Sequence, residues 1–203
     1  MSVMILSMQI RELDQTWKGR SFLFRYTTSY HYLVSPDRTP GEIIIHLKRE
    51  ALPETLEKSF ESRMFSDWMI HPQAFGAFEG ENLLGFVELS QEDWNNRLRI
   101  TNIWVDEDHR YQGVGKTLIA CAIETGKAGG QRALVLETQS CNDPAIRFYL
   151  SCGFELIGLD TTPIAASSNT LIPVAKARIS LRIAPGDTAA NALECLHKHL
   201  ESK

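Results

Sequence analysis

A chain of 203 residues, 43% hydrophobic and 23% charged, has the composition of an ordinary globular protein, and it is long enough to bury a core without disulfides or metals. A formal net charge of −4 and a pI near 5.9 argue against nucleic acid as the main partner, because phosphate binding leaves a basic footprint. No apolar run approaches the ~20 residues that span a bilayer, and the short apolar start lacks the basic region and cleavage site of a signal peptide, so a cytoplasmic location without a membrane partner is expected. Cys121, Cys141, Cys152 and Cys195 form no CxxC pair and have no histidine at ligand spacing. They read as reduced thiols that pack as small hydrophobes, with no metal site.

In chain order, residues 22–34 are rich in aromatic and β-branched side chains and predict one or two strands. Residues 42–47 predict a short apolar strand. Leu56, Phe60, Met64 and Trp68 recur every fourth position and predict a helix over residues 54–69. A hairpin follows, residues 74–79 and 83–89 around the turn Gly80-Glu81-Asn82. Residues 98–105 predict a strand. Val114, Leu118, Cys121 and Ala122 place a helix from about Gly113 to the Gly129-Gly130 stop. Residues 133–138 form an apolar strand interrupted only by Glu137. Asn142 predicts a helix N-cap with Pro144 in the first turn behind it, and that helix ends at Gly153. Strands are expected over residues 154–158 and 175–183, and a C-terminal helix over 187–200. The alternation predicts an α/β or α+β sheet with flanking helices, in a single domain over residues 1–203.

The segment from Ile103, Trp104 and Val105 through Arg110, Gln112, Gly113, Val114, Gly115, Lys116 and Thr117 is a strand, a polar turn and a glycine-rich helix start. Such a turn suits an anion: the first helical turn has unpaired N–H groups at the positive end of its dipole, and glycines let a diphosphate approach them. A phosphate loop of the GxxxxGK[ST] kind fails because Arg110 stands at its first glycine. A GxGxxG dinucleotide turn fails because Leu118 stands at its third. A glycine-rich helix start without a ligand is the plain alternative.

What does match is Arg110-x-x-Gly113-x-Gly115, followed by Asn142-x-x-Ala145-x-x-Phe148-Tyr149-x-x-x-Gly153-Phe154. The pair, in this order and spacing, resembles the GCN5-related N-acetyltransferase (GNAT) superfamily over roughly residues 74–162. Within it the chain is most similar to streptothricin acetyltransferases, through Glu88-Leu89-Ser90, Asp93 to Ile100, residues 136–142 and Gly153 to Thr162. The first ~70 residues and the tail after Ile183 show no such match. The resemblance implies a GNAT fold with a mixed, mostly antiparallel sheet, acetyl-CoA as cosubstrate, and direct attack by an amine in a ternary complex.

It also implies roles. Backbone N–H groups from Gln112 to Lys116 would hold the diphosphate, with the Thr117 hydroxyl beside them. The edge of Ile103 to Val105 would pair with the pantetheine arm, and an amide there, Ile103 in first place, would polarise the thioester oxygen. Asn142 matches a position that contacts pantetheine, in addition to capping its helix. Tyr149 matches the general acid that protonates the leaving thiolate, its alternative being a core aromatic. Glu137 lies twelve positions before Tyr149, a spacing that resembles protein N-terminal acetyltransferases, where the glutamate is a base through water. Its alternative is an ion pair with an arginine on a neighbouring strand. Cys141 reads as packing. Glu88, Glu92, Asp93, Asp106, Glu137 and Asp160 suggest an acidic path for a cationic amine.

The leading expectation is transfer of acetyl to a primary amine of a small molecule, a streptothricin-type antibiotic first, by a monomer or homodimer. The rivals are a protein N-terminal or lysine acetyltransferase and a coenzyme A-binding sensor without activity.

Overall fold

The computed structural model describes residues 8–39 and 42–156. By its contacts the chain divides into Met1–Thr161 and Thr162–Lys203, and everything below concerns the first unit. The strand expected over residues 175–183, the helix over 187–200 and Cys195 lie outside the described residues, as does Asp160.

Among the described residues, seven strands and two α-helices follow one another: β1 (Gln9–Glu12), β2 (Ser21–Thr39), β3 (Glu42–Arg63), β4 (Gln73–Glu79), β5 (Asn82–Glu92), β6 (Arg97–Val105), α1 (Val114–Ala128), β7 (Ala133–Val135) and α2 (Asp143–Ser151). The central sheet runs β1-β4-β5-β6-β7. Its first four strands pair antiparallel, and β6 and β7 are parallel across the α1 crossover. This is the expected mixed, mostly antiparallel α+β sheet.

Each face of the sheet covers its own core. Val87, Leu89, Leu98 and Ile100 pack with Val114, Leu118, Ile119 and Ala122 of α1, and Phe148 and Tyr149 of α2 join that cluster. On the opposite face, Phe86, Ala74 and Phe78 pack with Met64, Phe65 and Leu13, and Phe22, Phe24 and Trp104 close over them. Rings of Phe22 and Phe86 lie 4.6 Å apart, and Phe22 and Trp104 5.1 Å.

The helix expected over residues 54–69 is absent; β2 and β3 form a long two-stranded hairpin there instead. A spacing of four satisfies both the helical period and the strand period of two, so Leu56 and Phe60 share one face of β3. Cross-strand partners decide the outcome: Phe60 stacks on Phe24 at 4.9 Å. Pro53, which lacks an N–H for the ladder, sits where the β2–β3 register shifts between Thr28 and Tyr30. Met64 lies beyond the strand, buried against the sheet. No strand forms over residues 154–156.

Candidate active site

β6 and β7 pair only at Arg97↔Ala133, Leu98↔Leu134 and Arg99↔Val135. Beyond that point the strands part, and residues 136–138, expected to continue the strand, make no ladder. The cause lies in β6. Its register with β5 shifts between Glu88 and Leu89, so that Glu88 faces Asn102, Leu89 faces Ile100, and Thr101 is an extra residue. A bulge of this kind bends and twists the strand that carries it. β6 then continues with β5 on one side, Val87↔Ile103, Phe86↔Trp104 and Gly85↔Val105, and among the described residues no strand covers its other edge.

The turn after β6 leads to α1. Asp106 accepts from the Asp108 N–H at 3.1 Å and pairs with His109 Nδ1 at 2.9 Å, closing a single 3₁₀ turn. Arg110 turns back on the strand end, donating through Nε to the Val105 carbonyl at 3.4 Å. Gln112 donates to the Asp108 carbonyl at 2.8 Å. Gly113 is the N-cap of α1 with φ +90°, a left-handed conformation that glycine adopts without strain. A Cβ built on Gly113 would meet nothing within 4 Å, so the space in front of the helix start is open. Val114, Gly115 and Lys116 occupy the first turn, where N–H groups have no intrahelical partner. Thr117 closes the first helical bond to the Gly113 carbonyl at 3.0 Å, and its hydroxyl donates to the same oxygen at 3.2 Å. The hydroxyl proton expected for a ligand is thus used within the helix.

Gly115 has a different task. A Cβ there would stand 3.0 Å from the Phe148 ring, so this glycine lets α1 and α2 pack closely.

Asn142 caps α2, accepting from the Ala145 N–H at 3.3 Å, with Pro144 behind it in the first turn, as the sequence predicts. Tyr149 packs with Phe148 and Phe154 at centroid distances of 5.4 and 5.9 Å. Burial pushes its phenol up to about 12, with the nearby Cys152 adding to the shift. Ile103, Val105 and Leu136 pack against the same cluster as Tyr149.

Glu137 does not sit in the apolar surroundings expected of it. Its side chain is 82% exposed and pairs with Arg99 at 2.6 Å. Leu134 and Leu136 pack on the α1 side, whereas Glu137, past the end of β7, reaches Arg99 instead. Arg99 also bonds Glu92 at 3.4 Å, and Glu92 accepts from Arg97 Nε at 2.8 Å.

The expected acidic path is correspondingly altered. Glu92 lies between two arginines, Asp106 is engaged in its turn, and Glu88 is fully buried. Cys141 is buried and close to Tyr26 Oη, at 3.5 Å. Tyr26 also donates to Gln139 at 2.9 Å, and burial raises its phenol pKa, as does the hydrogen bond to Cys141. Burial likewise pushes the Cys121 thiol up. Among the described residues no group of metal-ligating side chains gathers.

Sequence reasoning misses the β2–β3 hairpin as a wall of the site. The Tyr32 N–H donates to the Ser140 carbonyl at 2.9 Å. Arg49 grips Asp143 at the start of α2 with two bonds, 2.7 and 3.0 Å, and lies 3.4 Å above the Tyr30 ring. Asp143 is only 5% exposed, and the Arg49 hydrogen bond holds its carboxyl below the usual range despite burial. Arg49→Ala should therefore lower the melting temperature more than Lys18→Ala, whose partner Asp67 is almost fully exposed. The sign with pH follows. A depressed carboxyl stabilises above its unfolded pKa, near 4, and the contribution is lost as pH falls through the lower folded value. In a melting series from pH 7 down, the difference between wild type and Arg49→Ala should shrink below about pH 4. Equal melting temperatures for the Arg49 and Lys18 variants at neutral pH would remove the clamp.

A mixed sheet parted at its parallel pair, beside a helix opened by glycine, defines an α+β fold of the acetyltransferase class. The chain belongs to the Acetyltransferase (GNAT) family, whose sequence model matches residues 42–154, more than half of its length. Streptothricin acetyltransferase of Streptomyces lavendulae is 39% identical over 80 residues, 39% of this chain and 42% of that protein. Streptothricin acetyltransferase of Escherichia coli is 38% identical over 86 residues, 42% of this chain and 49% of that protein. The match thus spans less than half the length of these relatives. A crystal structure of nourseothricin acetyltransferase superposes with a TM-score of 0.60 at 30% identity, covering 76% of this chain and 86% of that one. A Bacillus anthracis protein assigned as a streptothricin acetyltransferase, in complex with acetyl coenzyme A, gives a TM-score of 0.53 at 29% identity over 72% and 84% of the two chains. No helix among the described residues is long and apolar enough to cross a membrane.

Proposed function

We propose that this protein transfers the acetyl group of acetyl-CoA to a primary amine of a small molecule, with a streptothricin-type antibiotic as the first acceptor. The observation that carries the reading is the uncovered edge of Ile103–Val105, which leads into the open space before Gly113 and shares a cluster with Tyr149. That combination suits a long ligand with an amide-bearing arm and an anionic end. The streptothricin and nourseothricin acetyltransferases to which the chain is similar support this choice of acceptor.

Acetyl-CoA supplies an acetyl group activated as a thioester. The N–H groups of Val114, Gly115 and Lys116 bind its diphosphate, while the β6 edge accepts the pantetheine arm as an added strand. Asn142 commits its side-chain oxygen to the helix cap, which leaves its Nδ2 to donate to the arm. An amide of Ile103–Val105, Ile103 in first place, polarises the thioester oxygen. Tyr149 packs against the α1-side cluster and Glu137 sits beside Arg99. The amine approaches on the Glu137 side, its nitrogen bonds to the carbonyl carbon, and the carbon–sulfur bond breaks. Tyr149 donates its proton to the departing sulfur. The proton lost by the amine passes to water or to Glu137, once that carboxylate leaves Arg99.

Calorimetric titration with acetyl-CoA, CoA and ATP tests the binding half. Acetyl-CoA and CoA should bind and ATP should not; ATP binding alone would move the protein to another class. Glu137→Gln tests the base. If Glu137 takes the proton, the variant should lose about 10²-fold or more in kcat at neutral pH and recover part of it at high pH, where the amine is already neutral. A rate unchanged across the profile leaves Glu137 as the partner of Arg99 only.

A further inference from the structure

Glu88 is the most deeply buried charged side chain described, with no exposed surface. Among the described residues it forms no ion pair. A carboxylate removed from water is costly unless its oxygens are satisfied, and three neutral donors satisfy these. Oε1 accepts from the Phe65 N–H at 2.6 Å. Oε2 accepts from Asn102 Nδ2 at 2.7 Å and from Thr101 Oγ1 at 3.2 Å. Thr101 Oγ1 donates to the Glu88 carbonyl as well, at 3.1 Å, so its single proton is shared between that oxygen and the carboxylate.

Thr101 and Asn102 are the residues of the β6 bulge. Glu88 is the β5 residue opposite it. One carboxylate therefore fastens both the extra residue and its neighbour, and ties them to Phe65, itself held at φ +54°. The bulge has a visible consequence. Leu98 and Ile100 face the α1 cluster, and so do Ile103 and Val105. The alternation skips one step between Ile100 and Ile103. Because side-chain and amide directions both alternate along a strand, the inserted residue sets which amides of the following segment meet the free edge.

We infer that Glu88 is a positioning residue for acetyl transfer: it locks the bulge so that the Ile103 and Val105 amides, alternating with those of Trp104 and Asp106 that face β5, are aimed at the ligand lying along the free edge. The inference rests on the reading of this edge as the acetyl-CoA site. It assigns Glu88 no contact with either substrate, and it replaces the expectation that Glu88 attracts a cationic amine. Glutamine has the shape of glutamate but brings its own N–H₂ to face one of the three donors, so the lock loses at least one bond.

The experiment compares wild type with Glu88→Gln, Asn102→Ala, Thr101→Val and the double variant Glu88→Gln/Asn102→Ala. Acetyl-CoA affinity is read by calorimetry and kcat by thiol release, with near-ultraviolet circular dichroism as the check on folding. The diphosphate is held by a different segment while the arm lies on this edge, so Kd should rise by clearly less than kcat falls. An amide moved off the thioester oxygen weakens stabilisation that matters most in the transition state, so kcat should fall about tenfold or more. The double variant should be no slower than the slower single one, because both remove the same lock. A folded Glu88→Gln protein with kcat within about twofold of wild type overturns the inference. Parallel loss of kcat and affinity, the sign of general loosening, overturns it too. If Glu88→Gln does not fold, Asn102→Ala and Thr101→Val decide by the same criteria. A wild-type protein that binds no acetyl-CoA refutes the underlying site, whereas wild-type turnover with unimpaired variants refutes only the role of Glu88.

Discussion

Replacing Gly113 by valine should lower acetyl-CoA affinity at least about a hundredfold, some 2.7 kcal/mol. Two effects combine. The residue has φ +90°, a conformation strained for any residue with a Cβ and worst for a β-branched one. The added side chain would also enter the open space in front of the α1 start, where nothing beyond the adjoining chain lies within 4 Å of the Cβ position. Nothing in the protein opposes it there, so the clash is with the ligand. Gly113→Ala separates the two. Alanine carries most of the backbone strain and little of the bulk, so it should lower the melting temperature similarly but lose less affinity. Calorimetry and thermal melting on both variants check this. If valine binds acetyl-CoA as tightly as glycine, the diphosphate lies elsewhere.

Tyr149→Phe should lower kcat by about 10²–10⁴-fold, the range for loss of a general acid, with acetyl-CoA affinity little changed because the hydroxyl acts mainly in the transition state. Burial reinforces the assignment. A phenol pushed up to about 12 keeps its proton throughout the neutral range, as an acid must. It follows that the kcat profile of the wild type should show no alkaline fall due to Tyr149 below about pH 11. The aromatic packing with Phe148 and Phe154 survives the substitution, so the melting temperature should hold. Near-wild-type kcat, with chemistry rate-limiting, would leave Tyr149 as a core aromatic alone.

The parts of this fold legible in the sequence are those where one local rule acts without a rival. Gly113 at the helix start, Asn142 with Pro144 behind it, and Gly153 at the stop are each dictated by backbone geometry within a few residues. The β4–β5 hairpin needs only alternation and a Gly80 turn. Residues 56 to 68 mislead because their spacing of four satisfies two periods, and the choice falls to Phe24, 36 positions away on β2. Glu137 misleads in the opposite way. Its neighbours Val135 and Leu136 are apolar, yet β7 ends at Val135, and past that end the Glu137 carboxylate reaches outward to Arg99. Glu88, by contrast, sits in a run that looks like any half-exposed strand. Its burial comes from Phe65 and the β6 bulge, neither of which is local to it. The bidentate hold of Arg49 on Asp143 spans 94 positions. Nor does the motif reveal that Gly115 serves the contact with Phe148.

The most direct test of acetyl transfer is to incubate the protein with acetyl-CoA and streptothricin and analyse the mixture by mass spectrometry, with released thiol measured alongside. The account predicts a monoacetylated antibiotic and one thiol released per acetyl group gained, with both formed about 10²–10⁴-fold more slowly by Tyr149→Phe. Acetyl-CoA that binds but gives no acetylated amine, with streptothricin, other small primary amines or a peptide N-terminus, would contradict it.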